Sequence, residues 1–242
     1  MGFWDRLFKA ERPKLILFCA PGNPSGQILP QELVNHMMDA AIRAGSYMAI
    51  DRVYQCQCFR PRPAYFSWSP RDYPNLIGIH SNSKWARALG RRLGWIVANS
   101  GVVDGMERIQ QCNILCPDAL AQMTMARYLK QAIPSGSLRR YIEDTSRKYA
   151  QTARVMIEAI DAELGLPRLE PQGGLYTVLD VGRDGDEFSR QALQNTHVLV
   201  VSGKGFGRSL KNGVRLSYGP MVHDHAKIRE GLARLGRWLK RT

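Results

Sequence analysis

The stretch Lys14-Leu15-Ile16-Leu17-Phe18-Cys19-Ala20 runs straight into Pro21-Gly22-Asn23-Pro24-Ser25-Gly26, and its reading sets the reading of the rest. A short, continuous apolar run that ends in a dense cluster of turn formers predicts a buried strand followed by a tight loop. Working outward, Leu33, Met37, Met38, Ala41 and Ile42 recur at helical spacing between Gln31 and Ala44, and Gly45 stands where a helix stop is expected. Ser46 to Ile50 predicts a second strand ending at Asp51, Leu76 to His80 a third ending at Ser81, and Trp95 to Ala98 a fourth after Gly94. Strand, helix and strand in alternation, with near-continuous apolar strands, predict an α/β layer on a mainly parallel sheet. Ligands bind such sheets beyond the carboxyl ends of the strands. Asn23, Asp51 and the run Ser81 to Lys84 fall there.

Past Pro134-Ser135-Gly136 the texture changes. A long helix is predicted from about Leu138 to Leu164, with Ile142, Tyr149, Ala153, Met156, Ile157 and Ile160 on one side. A strand over Gly174–Val181, a short helix around Glu187–Gln194, strands at Val198–Val201 and Val214–Tyr218, and a closing amphipathic helix with Ile228, Leu232, Leu235 and Leu239 follow. Residues 1–134 and 135–242 are accordingly expected to form a larger α/β domain and a smaller α+β domain.

The 242 residues, 44% of them hydrophobic and 23% charged, exclude a predominantly disordered chain. No apolar run approaches the roughly 20 residues that span a bilayer, and Asp5, Arg6 and Lys9 break the apolar residues near the front, so no membrane partner is expected and the chain reads as cytoplasmic. The 34 Lys and Arg against 21 Asp and Glu, a net charge of +13, raise the question of nucleic acid. The charges are scattered, with groups at Arg87/Arg91/Arg92, Arg139/Arg140 and Lys227 to Arg241, and no basic tail, zinc-finger spacing or aromatic-basic RNA motif accompanies them, which argues against that partner. Five cysteines stand at 19, 56, 58, 112 and 116. Neither close pair is the C-x-x-C knuckle of structural zinc, so reduced thiols and no metal are expected.

The chemistry gathers around Lys84 in Ser81-Asn82-Ser83-Lys84, with Gly90, Arg92 and Gly94 at six, eight and ten positions beyond it. A lysine at a sheet mouth, flanked by small hydroxyl residues and followed by an arginine, suits an amine that forms a Schiff base beside a bound phosphate; a solvated surface lysine is the plain alternative. Three further pieces bear on that choice. Asn23-Pro24-Ser25-Gly26 ends one strand, Asp51-x-x-Tyr54 ends the next, and Val214-Arg215-Leu216-Ser217 follows Gly203-Lys204-Gly205-Phe206-Gly207 near the C-terminus. In order and spacing these resemble the N-P-x-G, D-x-x-Y, S-x-S-K-x-x-x-x-x-G-x-R-x-G and R-L-S motifs of the class I/II aminotransferases, a family of fold type I pyridoxal-phosphate enzymes. Gly173-Gly174-Leu175-Tyr176 resembles the family's G-G-hydrophobic-aromatic strand, and the likeness extends over essentially everything after about Pro13.

The resemblance implies a cofactor, pyridoxal 5'-phosphate, and a role for each residue. Lys84 would hold the cofactor aldehyde and later move the proton at the substrate's α-carbon. Asp51 would pair with the pyridine nitrogen, Tyr54 and Asn23 would bond the ring oxygen, Ser81, Ser83 and Arg92 would bind the phosphate, and Arg215 would clamp the substrate carboxylate. The implied activity is transfer of an amino group between an α-amino acid and a 2-oxo acid by a homodimer. A lyase, decarboxylase or synthase of the same fold, or an inactive remnant, is the alternative. The glycines at 203, 205 and 207 imitate a phosphate loop without a following G-K-[ST], Asp224 is expected to cap the last helix beside solvated His223 and His225, and His80 is expected to be a packed strand residue.

The resemblance also implies a long portion ahead of the first strand, carrying a phosphate-cradling helix start, an aromatic ring over the pyridine and three of seven sheet strands. The expectation is therefore an incomplete, mainly parallel large-domain sheet, with edges and an apolar face uncovered.

Overall fold

The structure is a computed structural model that describes residues 2–241. The described residues form two compact units. One takes the chain up to Ala20, Ile28–Cys56 and Pro61–Glu143; the other takes Pro21–Gln27, Gln57–Arg60 and the chain from Asp144 onward. The sequence reading draws a single line between residues 134 and 135, whereas the contacts change sides at Glu143/Asp144 and assign two loops of the front portion to the second unit.

The first unit is built on a four-stranded sheet in the order β1 (Leu15–Cys19), β2 (Tyr47–Asp51), β3 (Leu76–Ser81), β4 (Gly94–Val97). β1, β2 and β3 are parallel, with Phe18 beside Ile50 and Ile50 beside Gly78; β4 returns antiparallel, with Val97 beside Gly78. The mainly parallel sheet is thus as expected. Burial is not uniform along it: Met48, Ile50 and Leu76 of the central strands are buried, while every residue of β4 is exposed. The apolar run of the fourth strand therefore belongs to a sheet edge and not to the interior.

Helix α1 (Phe3–Glu11) buries Phe8 against Ala40 and Ala41 of α2 (Gln31–Arg43), and Asp5 pairs with Arg43 beside that contact. Of the stripe seen in the sequence, Met37, Met38 and Ala41 of α2 are buried, joined by Val34 and Ala40, whereas Leu33 is half-buried and Ile42 is exposed, because the buried face is centred one residue off that stripe. After β3 comes a single turn, α3 (Asn82–Trp85). Two helices that the sequence reading leaves unassigned follow β4: α4 (Ser100–Asn113), capped by the Asn99 side chain on the Val102 N–H, and α5 (Ala119–Ala132), capped by Asp118 on the N–H groups of Leu120 and Ala121. The long helix α6 (Ser137–Glu163) contributes its first seven residues to this unit and the rest to the second.

The second unit pairs β5 (Tyr176–Asp180), β7 (Gly213–Ser217) and β6 (Val201–Ser202), in that order and antiparallel throughout. Its core joins Ala153, Met156 and Ile160 of α6, Leu179 of β5, Phe188 and Ala192 of α7 (Gly185–Thr196), Val214 and Leu216 of β7, and Ile228, Leu232 and Leu235 of α8 (His225–Leu239). The strand expected over Val198–Val201 shrinks to Val201–Ser202: the chain leaves α7 through His197 at φ 57° and the Val198 N–H bonds the Thr196 hydroxyl, so only two residues reach the β7 ladder. Asp224 caps α8 as expected. His225 differs from its solvated expectation, because it is half-buried and its Nε2 lies 3.0 Å from the Thr152 hydroxyl of α6.

Candidate functional site

In the first unit, Asp51 closes β2 and sits beside Cys19 on one neighbour and Ile79 on the other. Its Oδ1 accepts the Val53 N–H at 3.0 Å, which turns the chain and delivers Tyr54 to a buried position just past the strand. Ser81 ends β3 and caps α3: its Oγ accepts the Ser83 N–H at 3.1 Å and lies 3.0 Å from the Ser83 hydroxyl and 3.3 Å from the Leu93 carbonyl. One residue on, Lys84 is half-buried with its Nζ 5.6 Å from the centre of the Tyr54 ring, a cation–π distance. No carboxylate pairs with Lys84 among the described residues. The parallel pairing of β2 and β3 thus brings Asp51, Tyr54, Ser81, Ser83 and Lys84 to one sheet edge. Arg92 is the exception in this unit: it is exposed, with φ 49°, and its Nη1 donates to the Leu89 carbonyl at 3.3 Å and to neither serine.

In the second unit, Asn23 and Arg215, 192 residues apart, meet: Nη1 of Arg215 donates to Asn23 Oδ1 at 2.9 Å. The guanidinium carbon lies 4.3 Å from the centre of the Tyr176 ring and 5.1 Å from that of Phe206. Its Nε is buried and has no hydrogen-bond partner, a donor that an arriving acceptor would satisfy. The glycines of two motifs explain how the pair is held. Gly26 adopts φ +67°, and a Cβ there would sit 2.7 Å from the Tyr176 carbonyl oxygen; a Cβ on Gly173 would sit 2.5 Å from Pro21 Cγ and 2.6 Å from the Gln57 oxygen. Only glycine lets the Asn23-Pro24 loop, whose peptide bond is cis, lie flat on the Gly173–Tyr176 segment. Tyr218, whose buried hydroxyl donates to the Gly173 carbonyl at 3.3 Å, has its pKa pushed up by burial.

The loop that imitates a phosphate cradle is tied down differently. Lys204 pairs with Asp184 at 2.6 Å and Asp186 at 3.1 Å at the start of α7, and the hydrogen bonds from Lys204 and Ser202 hold those carboxyls below their usual range. The loop therefore fixes Phe206 on Arg215. Sequence reasoning missed the two rings on Arg215, although both belong to motifs it had marked, Gly173–Tyr176 and Gly203–Gly207.

The fold is shared with solved aminotransferase structures. An aromatic aminotransferase from Pyrococcus horikoshii superposes with a TM-score of 0.86 at 24% identity, covering 100% of this chain and 64% of its own. The Thermus thermophilus aspartate aminotransferase solved with maleate gives 0.85 at 23%, covering 98% and 60%. The sequence profile described as aminotransferase class I and II matches residues 4–235, and the chain belongs to that family. Among curated relatives, an aromatic-amino-acid aminotransferase of Thermococcus litoralis is 28% identical over 98% of this chain and 60% of its own length. An aspartate aminotransferase of Pyrococcus abyssi is 25% identical over 96% and 59%. The chain thus spans about 60% of the length of the curated relatives it matches. No described helix is long and apolar enough to cross a membrane.

Proposed function

We propose that this chain carries the catalytic residues of a pyridoxal-phosphate-dependent aminotransferase that moves an amino group between an α-amino acid and a 2-oxo acid. The observation that carries the proposal is the convergence of Asp51 and Lys84 at the carboxyl edge of two paired parallel strands, with Tyr54 packed beside the amine. This donor set suits the cofactor: an amine without a carboxylate partner for its aldehyde, a carboxylate for its ring nitrogen, a phenol for its ring oxygen, and two hydroxyls 3.0 Å apart for its phosphate. Pyridoxal phosphate, when bound, supplies an electron-withdrawing ring that stabilises negative charge at the substrate α-carbon.

The chain's own residues do the rest. Lys84 Nζ would hold the cofactor aldehyde and would move the proton at the substrate α-carbon. Asp51 would pair with the pyridine nitrogen and hold a proton there, favouring the electron-withdrawing form of the ring. Ser81, Ser83 and, by a swing of its exposed side chain away from Leu89, Arg92 bind the phosphate. Arg215 binds the substrate carboxylate through its planar fork. Asn23 holds Nη1 of that fork through Oδ1, which leaves the Asn23 amide N–H groups for the ring oxygen.

A second copy of this chain is the proposed partner, supported by apolar side chains exposed on α4 and α5, among them Ile109, Leu120 and Met123. A cytoplasmic setting is supported by five cysteines, none of which is in a disulfide among the described residues. The test of the activity is the visible absorption band that forms when pyridoxal phosphate is titrated into the protein. The band is expected in the parent chain and to shift on adding an amino acid; Lys84→Ala is expected to abolish it. A band of equal strength in Lys84→Ala would overturn the proposal.

A further inference from the structure

Arg52 stands between Asp51 and Tyr54, at a position the D-x-x-Y pattern leaves blank. Its backbone N–H continues the β2 ladder onto the Ile79 carbonyl at 2.9 Å, so its side chain points to the face opposite that of Asp51. The residue is 6% exposed, and its Nη2 donates to the carbonyls of Tyr65 at 2.8 Å and Trp68 at 3.0 Å. The remaining donors are unmet: Nε is buried without a partner, Nη1 makes no hydrogen bond, and no carboxylate pairs with the guanidinium among the described residues. A buried cation without a counter-charge is costly, and its orphaned donors add to that cost.

The place these donors face is hollow. A cavity of about 210 Å³ is lined by Arg52, Gln55 and His80 on its polar side and by Trp85, Trp95 and Leu138 on its apolar side. Gly78 opens it. A Cβ on Gly78 would lie 3.5 Å from Arg52 Nη1 and 3.1 Å from His80 Nε2, so the two nitrogens converge on the volume that a larger residue in this strand would fill. The His80 ring is held there by stacking on Trp95, with 5.2 Å between centroids and 5° between planes. Burial and the nearby Arg52 lower the His80 pKa, which keeps the imidazole neutral and leaves one positive charge in the cavity.

We propose that this cavity binds a small aromatic monocarboxylate, its carboxylate on Arg52 Nη1 and His80 Nε2 above Gly78 and its ring among Trp85, Trp95 and Leu138. One cation in an apolar enclosure matches a single negative charge; a phosphate dianion would carry an unpaired charge into it, and a neutral ligand would leave the guanidinium uncompensated. Ser81, a proposed phosphate ligand, also borders the cavity, whereas Arg52 and Gly78 lie on the other face of the sheet from Asp51 and in a different unit from Arg215.

Benzoate is the probe, titrated into the Arg215→Met variant so that the other carboxylate-binding arginine is silent, with calorimetry giving the stoichiometry and tryptophan fluorescence reporting the site. Saturable binding of one benzoate per chain is expected. Arg52→Met is expected to weaken it at least tenfold, and Gly78→Ala, which keeps the charge and fills the cradle, to weaken it comparably. Benzyl alcohol, of the same shape without the charge, is expected not to compete. The proposal falls if benzoate does not saturate, if benzyl alcohol binds as tightly, or if Gly78→Ala leaves the affinity unchanged. The benzyl alcohol and Gly78→Ala arms decide the matter even where Arg52→Met fails to fold.

Discussion

In the antiparallel sheet, Leu179 and Val214 are fully buried beneath α6, α7 and α8, whereas in the four-stranded sheet Leu17 of β1 is 63% exposed and Trp95 of β4 is 45% exposed. Both sheets are rich in apolar side chains, and they differ in what covers them. In the second unit, helices close over the sheet and a single cluster results. In the first, the central strands β2 and β3 are buried while both outer strands present apolar groups and unpaired backbone, the arrangement of a sheet that can accept further strands at either edge. The more fully covered sheet thus lies in the second unit, while Asp51, Tyr54, Ser81, Ser83 and Lys84 lie in the first.

Four substitutions test that contrast, from the largest effect to the smallest. Leu235→Ala removes a fully buried side chain from the closed core and is expected to cost ~3–5 kcal/mol in urea unfolding. Gly26→Ala forces a β-carbon against the Tyr176 carbonyl at positive φ, with an expected loss of about 1–3 kcal/mol and weaker carboxylate binding as Asn23 shifts. Leu17→Ala, at the open edge, is expected to change stability by no more than about 0.5 kcal/mol. A loss several times larger would mean that β1 is covered in solution and would break the contrast. The smallest effect belongs to Asp184, whose carboxyl is held below its ordinary value of 3.8 by Lys204. A depressed carboxylate stabilises the fold above its unfolded pKa and loses that contribution as pH falls through its folded pKa. Asp184→Asn should therefore leave Tm unaffected by the ion pair below that range and slightly lower at neutral pH, as read by thermal melts at the two pH values.

Much of this was legible in the sequence. The runs at Leu15–Cys19, Tyr47–Asp51 and Leu76–Ser81 announce parallel strands because they are short, continuous and closed by turn or polar residues. Val198–Val201 carries the same signal and misleads, because apolar content does not record whether a ladder partner is in reach. α4 carries Val102, Val103, Met106 and Ile109 at helical spacing but buries none of its residues, so the stripe alone did not say what it would pack against; the Asn99 cap marks its start, and the Asp118 cap that of α5. Of the site, the residues that chemistry demands stood out as motifs. Their couplings did not: that Oδ1 of Asn23 would bond Arg215, or that Phe206 would lie on its guanidinium, depends on chain closure over long separations. Arg52 was hidden for a different reason, since only burial without a counter-charge makes it notable.

The Asn23–Arg215 contact also imposes an order on synthesis. As the chain leaves the ribosome, the loop Pro21–Gln27 emerges almost first, yet the strand that receives it, Gly213–Ser217, emerges almost last. Through nearly the whole of translation the loop has no docking site, and the second unit has to wait for a distant segment although most of its core is local in sequence. A nascent chain halted before Gly213 would hold all four strands of the four-stranded sheet and leave its carboxylate-binding loop unclaimed.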